Sequence, residues 1–167
     1  IGDSVALRSS AAFSSLLPND QLYAAVSRSF DNAFEIFQNE ISSGTLSKTT
    51  VLAIGVNSLD HYQEDIQQFI DALPDGYRLI IVTPYNASDK AKVKQARDYE
   101  LSLPKTYNYI TIADWYKTAT SHPEIWNGTD GVHYSDANTT GADLYVKTIQ
   151  KAIDKSAKRP AKGESNS

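Results

Sequence analysis

Three short clusters in this chain hold the residue types that acyl transfer requires. Gly2-Asp3-Ser4 sets a hydroxyl two residues after a glycine. A glycine permits a tight strand-to-helix turn, and a serine at a helix start sits over free backbone N–H groups, which suits a nucleophile whose adduct is negatively charged. Gly55-Val56-Asn57-Ser58 offers Asn57, whose amide N–H2 can point at a developing oxyanion. Asp130-Gly131-Val132-His133 puts a carboxylate and an imidazole three residues apart in a glycine-containing loop. The carboxylate can then accept from one ring nitrogen while the other faces a serine. Each cluster alone also reads more plainly. Asp3 or Ser4 suits a helix N-cap, Asn57 a turn or cap, and Asp-Gly a surface turn beside an incidental histidine. Their joint occurrence at predicted strand ends is what makes Ser4, His133 and Asp130 candidates for nucleophile, base and orienting acid.

The other two histidines fit chemistry less well. His61 lies among Asp60, Gln63 and Glu64 at an expected helix start, and His122 precedes Pro123 in a polar loop. They form no close-spaced ligand pair, and without a cysteine there is no thiolate catalysis, disulfide or cysteine–zinc site. No metal or cofactor is expected.

The elements that must position these clusters alternate between two periods. Val51 to Val56, Leu79 to Val82 and Tyr109 to Ala113 are short, near-continuous apolar runs of the kind found in parallel strands buried on both faces, and Leu22 to Val26 is a weaker candidate. Phe30, Phe34, Phe37 and Ile41 mark one helical face, as do Tyr62, Ile66, Phe69 and Leu73, with Ser58 or Asp60 as N-cap. Further helices are expected from Val5 to Leu17, stopped by Pro18, from Lys90 to Leu103, ending before Pro104, and from Gly141 to Ala157. Strands alternating with helices predict an α/β domain with a mostly parallel sheet, whose site lies at the carboxyl ends of the strands.

Length and composition bound the rest. The chain has 167 residues, 41% apolar and 22% charged, which fits one domain with one core. Residues 1–157 are expected to form it, and 158–167, poor in apolar residues, to be a disordered tail. A net charge of −4 argues against nucleic acid as a partner. No segment approaches the roughly 20 apolar residues of a membrane span. A strand leading into Gly2-Asp3-Ser4 would fall largely before Ile1, as in a piece of a longer chain. Tyr134, Trp115, Tyr116 and Trp126 lie near predicted strand ends or the His133 loop. They could stack on sugar rings or simply pack the core and rim.

The three clusters, in this order and roughly this spacing, resemble the first, third and fifth sequence blocks of the SGNH/GDSL hydrolases. The resemblance implies a flavodoxin-like three-layer α/β/α sandwich, with Ser4 as nucleophile, His133 as general base and Asp130 as orienting acid. It also implies an oxyanion hole made by the Ser4 N–H and Asn57. The family's second block usually supplies a glycine N–H to that hole. Its best match is Val26-Ser27-Arg28, with Ser27 in the glycine position. Ile-Gly-Asp-Ser-Val, Ala-Val-Ser-Arg, Ala-Ile-Gly-Val-Asn and Asp-Gly-Val-His further resemble the extracytoplasmic catalytic domain of Gram-positive peptidoglycan O-acetyltransferases. That resemblance implies acetyl transfer, through an acetyl-serine, from an acetyl donor to the C6 hydroxyl of N-acetylmuramic acid. It further implies a cell-surface location and a membrane acyltransferase domain N-terminal to this segment. A secreted esterase of the same family, such as a carbohydrate deacetylase, would share every one of these residues. A glycan-binding domain that kept the scaffold without the chemistry is the reading from another class.

Overall fold

The strand β2 (Arg78–Val82) separates two apolar layers. Leu79 and Ile81 join one buried cluster and Ile80 and Val82 the other, the alternation that a strand's two-residue period imposes. The structure is a computed structural model that describes residues 1–57, 59–135 and 139–165. In it β2 pairs in parallel with β1 (Thr49–Leu52) on one side and β3 (Ile110–Ala113) on the other, in register Thr50 to Leu79 and Ile80 to Thr111.

Past β1 the sheet continues through single pairings. Gly2 bridges Ala53 on one side and Ala24 on the other, both in parallel. The Asp3 N–H donates to the Ala53 carbonyl at 3.1 Å, and the Gly2 N–H to the Tyr23 carbonyl at 2.8 Å. The spatial order is therefore the Ala24 segment, the Gly2 segment, β1, β2 and β3. This is the doubly wound order in which the winding reverses between the first and third segments, leaving a crevice at their carboxyl ends. The fold is the expected flavodoxin-like α/β/α sandwich, although the Leu22 to Val26 candidate contributes only the Ala24 pairing.

Helices α3 (Phe30–Ser43), α4 (Tyr62–Ala72) and α5 (Lys90–Thr106) cover one face of the sheet. Helices α1 (Ser4–Arg8), α2 (Ser10–Leu16), α6 (Trp115–Ser121) and α7 (Thr140–Ser156) cover the other. The first face is built on phenylalanine: Phe37 and Phe69 lie 5.2 Å apart, ring centre to ring centre, and both are buried. Truncating either to alanine should cost about 3–5 kcal/mol.

Several local expectations give way. The stretch from Val5 to Leu17 is two helices broken at Ser9, whose hydroxyl bonds the Val5 carbonyl and the Tyr134 hydroxyl instead of continuing one helix. α5 runs through Pro104 to Thr106. A proline's missing N–H removes one helical bond, a loss small enough to tolerate in a last turn. Ser58 lies outside the described residues, and Asp60 does not cap α4. It pairs with Lys92, and His61 precedes the helix without a side-chain cap.

The segment 158–165 is not a loose tail. Arg159 donates to the carbonyls of Asn108 at 2.8 Å and Pro104 at 3.2 Å, and Lys162 Nζ to those of Ile70 and Leu73 at 2.9 and 2.7 Å. Ala161 is buried. Few apolar residues are needed here, because long cationic side chains satisfy the free carbonyls at the ends of α4 and α5.

Candidate active site

The nucleophile candidate sits where the chain leaves the sheet. Asp3 is the N-cap of α1, its carboxylate accepting from the Val5 N–H at 3.0 Å. The cap reading of the first cluster falls on Asp3, and Ser4 is the first residue of the helix. The Ser4 hydroxyl lies 2.8 Å from His133 Nε2, and His133 Nδ1 lies 2.8 Å from Asp130 Oδ2. The other Asp130 oxygen accepts from the N–H groups of Val132 at 2.9 Å and His133 at 2.8 Å. One carboxylate oxygen thus holds the turn and the other meets the His133 ring.

These bonds set the protonation pattern. Slight burial pushes the Asp130 carboxyl up, but the hydrogen bonds from the His133 ring and the two backbone N–H groups outweigh it and bring its pKa down to about 2. An ionised carboxylate only accepts, so a neutral His133 carries its proton on Nδ1 and its Nε2 accepts from the Ser4 hydroxyl. The chain thus holds a serine hydroxyl, an imidazole and a carboxylate in hydrogen-bonded sequence.

Two further loops carry the remaining candidates. Asn57 is an exposed residue in the loop that leaves β1, and the Gly55 and Val56 N–H groups just before it bind the Asp3 carboxylate. Asp3 is 2% exposed, and its burial raises its pKa despite those bonds. Ser27 has φ +55° and is the one residue other than glycine with positive φ among the described residues. It occupies the conformation that the family's glycine would adopt freely. Its neighbour Arg28 donates to the carbonyls of Tyr23 at 2.5 Å and Gly2 at 3.3 Å, tying this loop to the strand before Ser4.

The sequence did not reveal what holds α1 against the His133 loop. The Tyr134 hydroxyl donates to the Val5 carbonyl at 3.0 Å, and Arg8 Nε to the Tyr134 carbonyl at 2.9 Å. Tyr134 and Trp115 are therefore core residues, 1% and 2% exposed, whereas Tyr116 and Trp126 are only half-buried. His122 bonds Glu124 at 2.8 Å on the surface. Nothing local in the sequence marks Asp3 as more than a cap, because its second set of partners is some fifty residues away in the chain. Among the described residues, no group of three or more His, Asp or Glu side chains could hold a metal ion, and no helix is long and apolar enough to cross a membrane.

A parallel α/β/α sandwich with its serine, asparagine and Asp–His loops at the carboxyl ends of the sheet defines an SGNH-type hydrolase scaffold. The C-terminal catalytic domain of Streptococcus pneumoniae peptidoglycan O-acetyltransferase A (OatA), solved with a methylsulfonyl adduct, is 40% identical to this chain. The match covers 98% of this chain and 95% of that one, with a TM-score of 0.92. The chain belongs to the family of peptidoglycan O-acetyltransferase catalytic domains. A second Streptococcus pneumoniae structure, whose name links it to platelet activating factor, shares the fold at 16% identity and a TM-score of 0.64, over 90% of this chain and 80% of that one. No protein-family model and no curated protein matches the chain.

Proposed function

We propose that this chain is the catalytic domain of a peptidoglycan O-acetyltransferase working outside the cell, attached to an upstream membrane domain, and that Ser4 carries the acetyl group. The observation that carries this reading is the bonded series Ser4–His133–Asp130, in a chain 40% identical to the OatA catalytic domain. As the Ser4 oxygen attacks the carbonyl carbon of an acetyl donor, His133 Nε2 takes its proton. The resulting oxyanion is held by the Ser4 N–H, the Asn57 amide and the Ser27 N–H, each such donor worth about 3–4 kcal/mol of barrier. Collapse breaks the bond to the leaving oxygen, which takes the proton from His133, and acetyl-Ser4 remains. The C6 hydroxyl of N-acetylmuramic acid then attacks that ester as His133 accepts its proton. A second collapse breaks the ester bond to Ser4, whose oxygen takes the proton back from His133, and completes the transfer.

The His133 side chain is 28% exposed, so water also reaches the base, and this favours esterase activity as the second reading. One experiment separates the two. The protein is mixed with a small acetyl ester, with and without a muramic-acid-containing glycan, and both the intact protein mass and the products are followed. Expected are an acetylated protein that the Ser4→Ala variant does not form, and an acetylated glycan. Acetate release at a rate indifferent to the glycan would make the protein an esterase, and an acetylated Ser4→Ala protein would remove Ser4 from the chemistry.

A further inference from the structure

On the carboxyl side of the sheet, where the triad also lies, the loops after β2 and β3 form an open cleft of about 440 Å³ lined by Tyr85, Tyr116, Trp126, Lys90 and Thr120. Its rings are held by polar contacts as well as packed. The Trp126 indole N–H donates to the Ala119 carbonyl at 2.9 Å, and the Tyr85 ring lies 4.7 Å from it at a tilt of 31°. The Tyr116 ring lies under the Arg97 guanidinium at 5.1 Å, and Arg97 is itself fixed by two bonds of 2.8 and 2.7 Å to Asp114. The Thr83 hydroxyl donates to Asp114 at 3.1 Å and accepts from the Tyr116 N–H at 2.9 Å. Two half-buried rings held this firmly form a rigid amphipathic wall, at which a pyranose can stack without first ordering side chains.

The wall is joined to the chemistry. Tyr85 also lines the small cleft formed by Asp3, Val5, Gly55 and Val56. The Trp126 carbonyl accepts from the Thr129 N–H and hydroxyl at 3.1 and 2.9 Å, the Thr129 hydroxyl accepts from the Gly131 N–H at 3.1 Å, and Asp130 lies between those two residues. Four residues of chain span at most about 14 Å, so Trp126 and Asp130 are within the reach of a short oligosaccharide. At the rim, Lys90 is exposed and presents an ammonium group.

We infer that this cavity is an acceptor subsite: Trp126 and Tyr116 stack a sugar ring of the glycan strand next to the one that reacts, while Lys90 pairs with a carboxylate on that strand's pendant group. The inference rests on the proposed acceptor being a glycan, but its test does not depend on turnover. In the Ser4→Ala background, where no transfer can occur, binding of two probes is titrated: a neutral chito-oligosaccharide and a muropeptide with free peptide carboxylates. Trp126→Ala should weaken both by roughly tenfold or more. The milder Trp126→Phe should weaken both by less, and a near-ultraviolet circular dichroism spectrum like that of the parent confirms its fold. Lys90→Glu, at an exposed position, should weaken the muropeptide by roughly fivefold and leave the neutral probe unchanged. Undiminished binding of both probes by well-folded Trp126→Phe and Trp126→Ala proteins overturns the subsite, and equal loss of both probes in Lys90→Glu overturns the carboxylate contact. Tight glycan binding lost in these variants, by a wild-type protein that releases only acetate, would keep the subsite and refute the transferase.

Discussion

At the scale of single residues, Asp130 does two jobs with one carboxylate, and this decides what its replacement does. One oxygen holds two backbone N–H groups and the other orients His133 Nδ1. An asparagine has one acceptor oxygen. If the backbone keeps it, the amide N–H2 faces Nδ1, the ring proton moves to Nε2, and Nε2 can no longer accept from Ser4. Asp130→Asn should therefore lower kcat by roughly 10³–10⁴-fold with little change in folding, a wrong-tautomer effect. Steady-state kinetics on a small ester checks this, and an unchanged rate would return Asp130 to the role of a turn residue. Ser27 poses the opposite question, whether backbone or side chain matters. A residue other than glycine at φ +55° bears a strain of about 1–2 kcal/mol. Ser27→Gly should thus stabilise the fold slightly or leave it unchanged, and Ser27→Ala should keep near-normal turnover, because the proposed mechanism uses only the N–H. A large loss of kcat in Ser27→Ala would show that the hydroxyl acts instead.

At the scale of elements, the site depends on loops from distant parts of the chain keeping a register of a few tenths of an ångström. Gly131 shows how narrow the tolerance is. It has φ +74°, and a Cβ built on it would lie 2.5 Å from the Ala87 Cβ, while its carbonyl accepts from the Ala87 N–H at 2.9 Å. Gly131→Ala must therefore push the 130–133 loop away from the segment after β2, and His133 moves with it. Because a 1 Å misplacement can cost about 10²-fold in rate, kcat should fall by about that factor while KM for a small ester changes little. Turnover at the wild-type rate would show that the loop absorbs the methyl group elsewhere.

At the scale of the whole molecule, the least comfortable group lies far from the chemistry. Glu100 on α5 is 1% exposed, and its Oε2 has no hydrogen-bond partner among the described residues. Burial, then the nearby Asp114 charge, holds its pKa well above the usual carboxylate range. A raised folded-state pKa means that the folded protein binds this proton more tightly than the unfolded chain does. The stabilisation is complete below the ordinary carboxylate pKa and is lost as pH rises through the raised value. Glu100→Gln cannot ionise and escapes that loss. Its Tm advantage over the wild type should grow as pH rises above the ordinary carboxylate range, by roughly 2–4 °C for each kcal/mol recovered in a chain of this size. Melting curves through and above that range test it, and a difference constant with pH would show that Glu100 has the same pKa in the folded and unfolded states.

Much of this protein was legible in its order of residues. Near-continuous apolar runs marked the strands and a 3.6-residue period the long helices, and hence the α/β class, because these patterns are local and each element must bury its own faces. The spacing of Asp130 and His133 determined that one could orient the other, since three residues of a tight turn already bring them together. What α6 and the turn Pro123–Trp126 do was not legible, because elements of seven and four residues are too short to show a period. Nor was the docking of residues 158–165, which rests on cations meeting helix-end carbonyls rather than on apolar pattern. Only the tertiary structure decided the contact that matters most. Ser4 and His133 are 129 residues apart and meet at 2.8 Å because the sheet reverses its winding at Gly2, and because Arg8 and Tyr134 lock α1 to the histidine loop. Such a contact depends on how whole elements pack, and no local pattern encodes it.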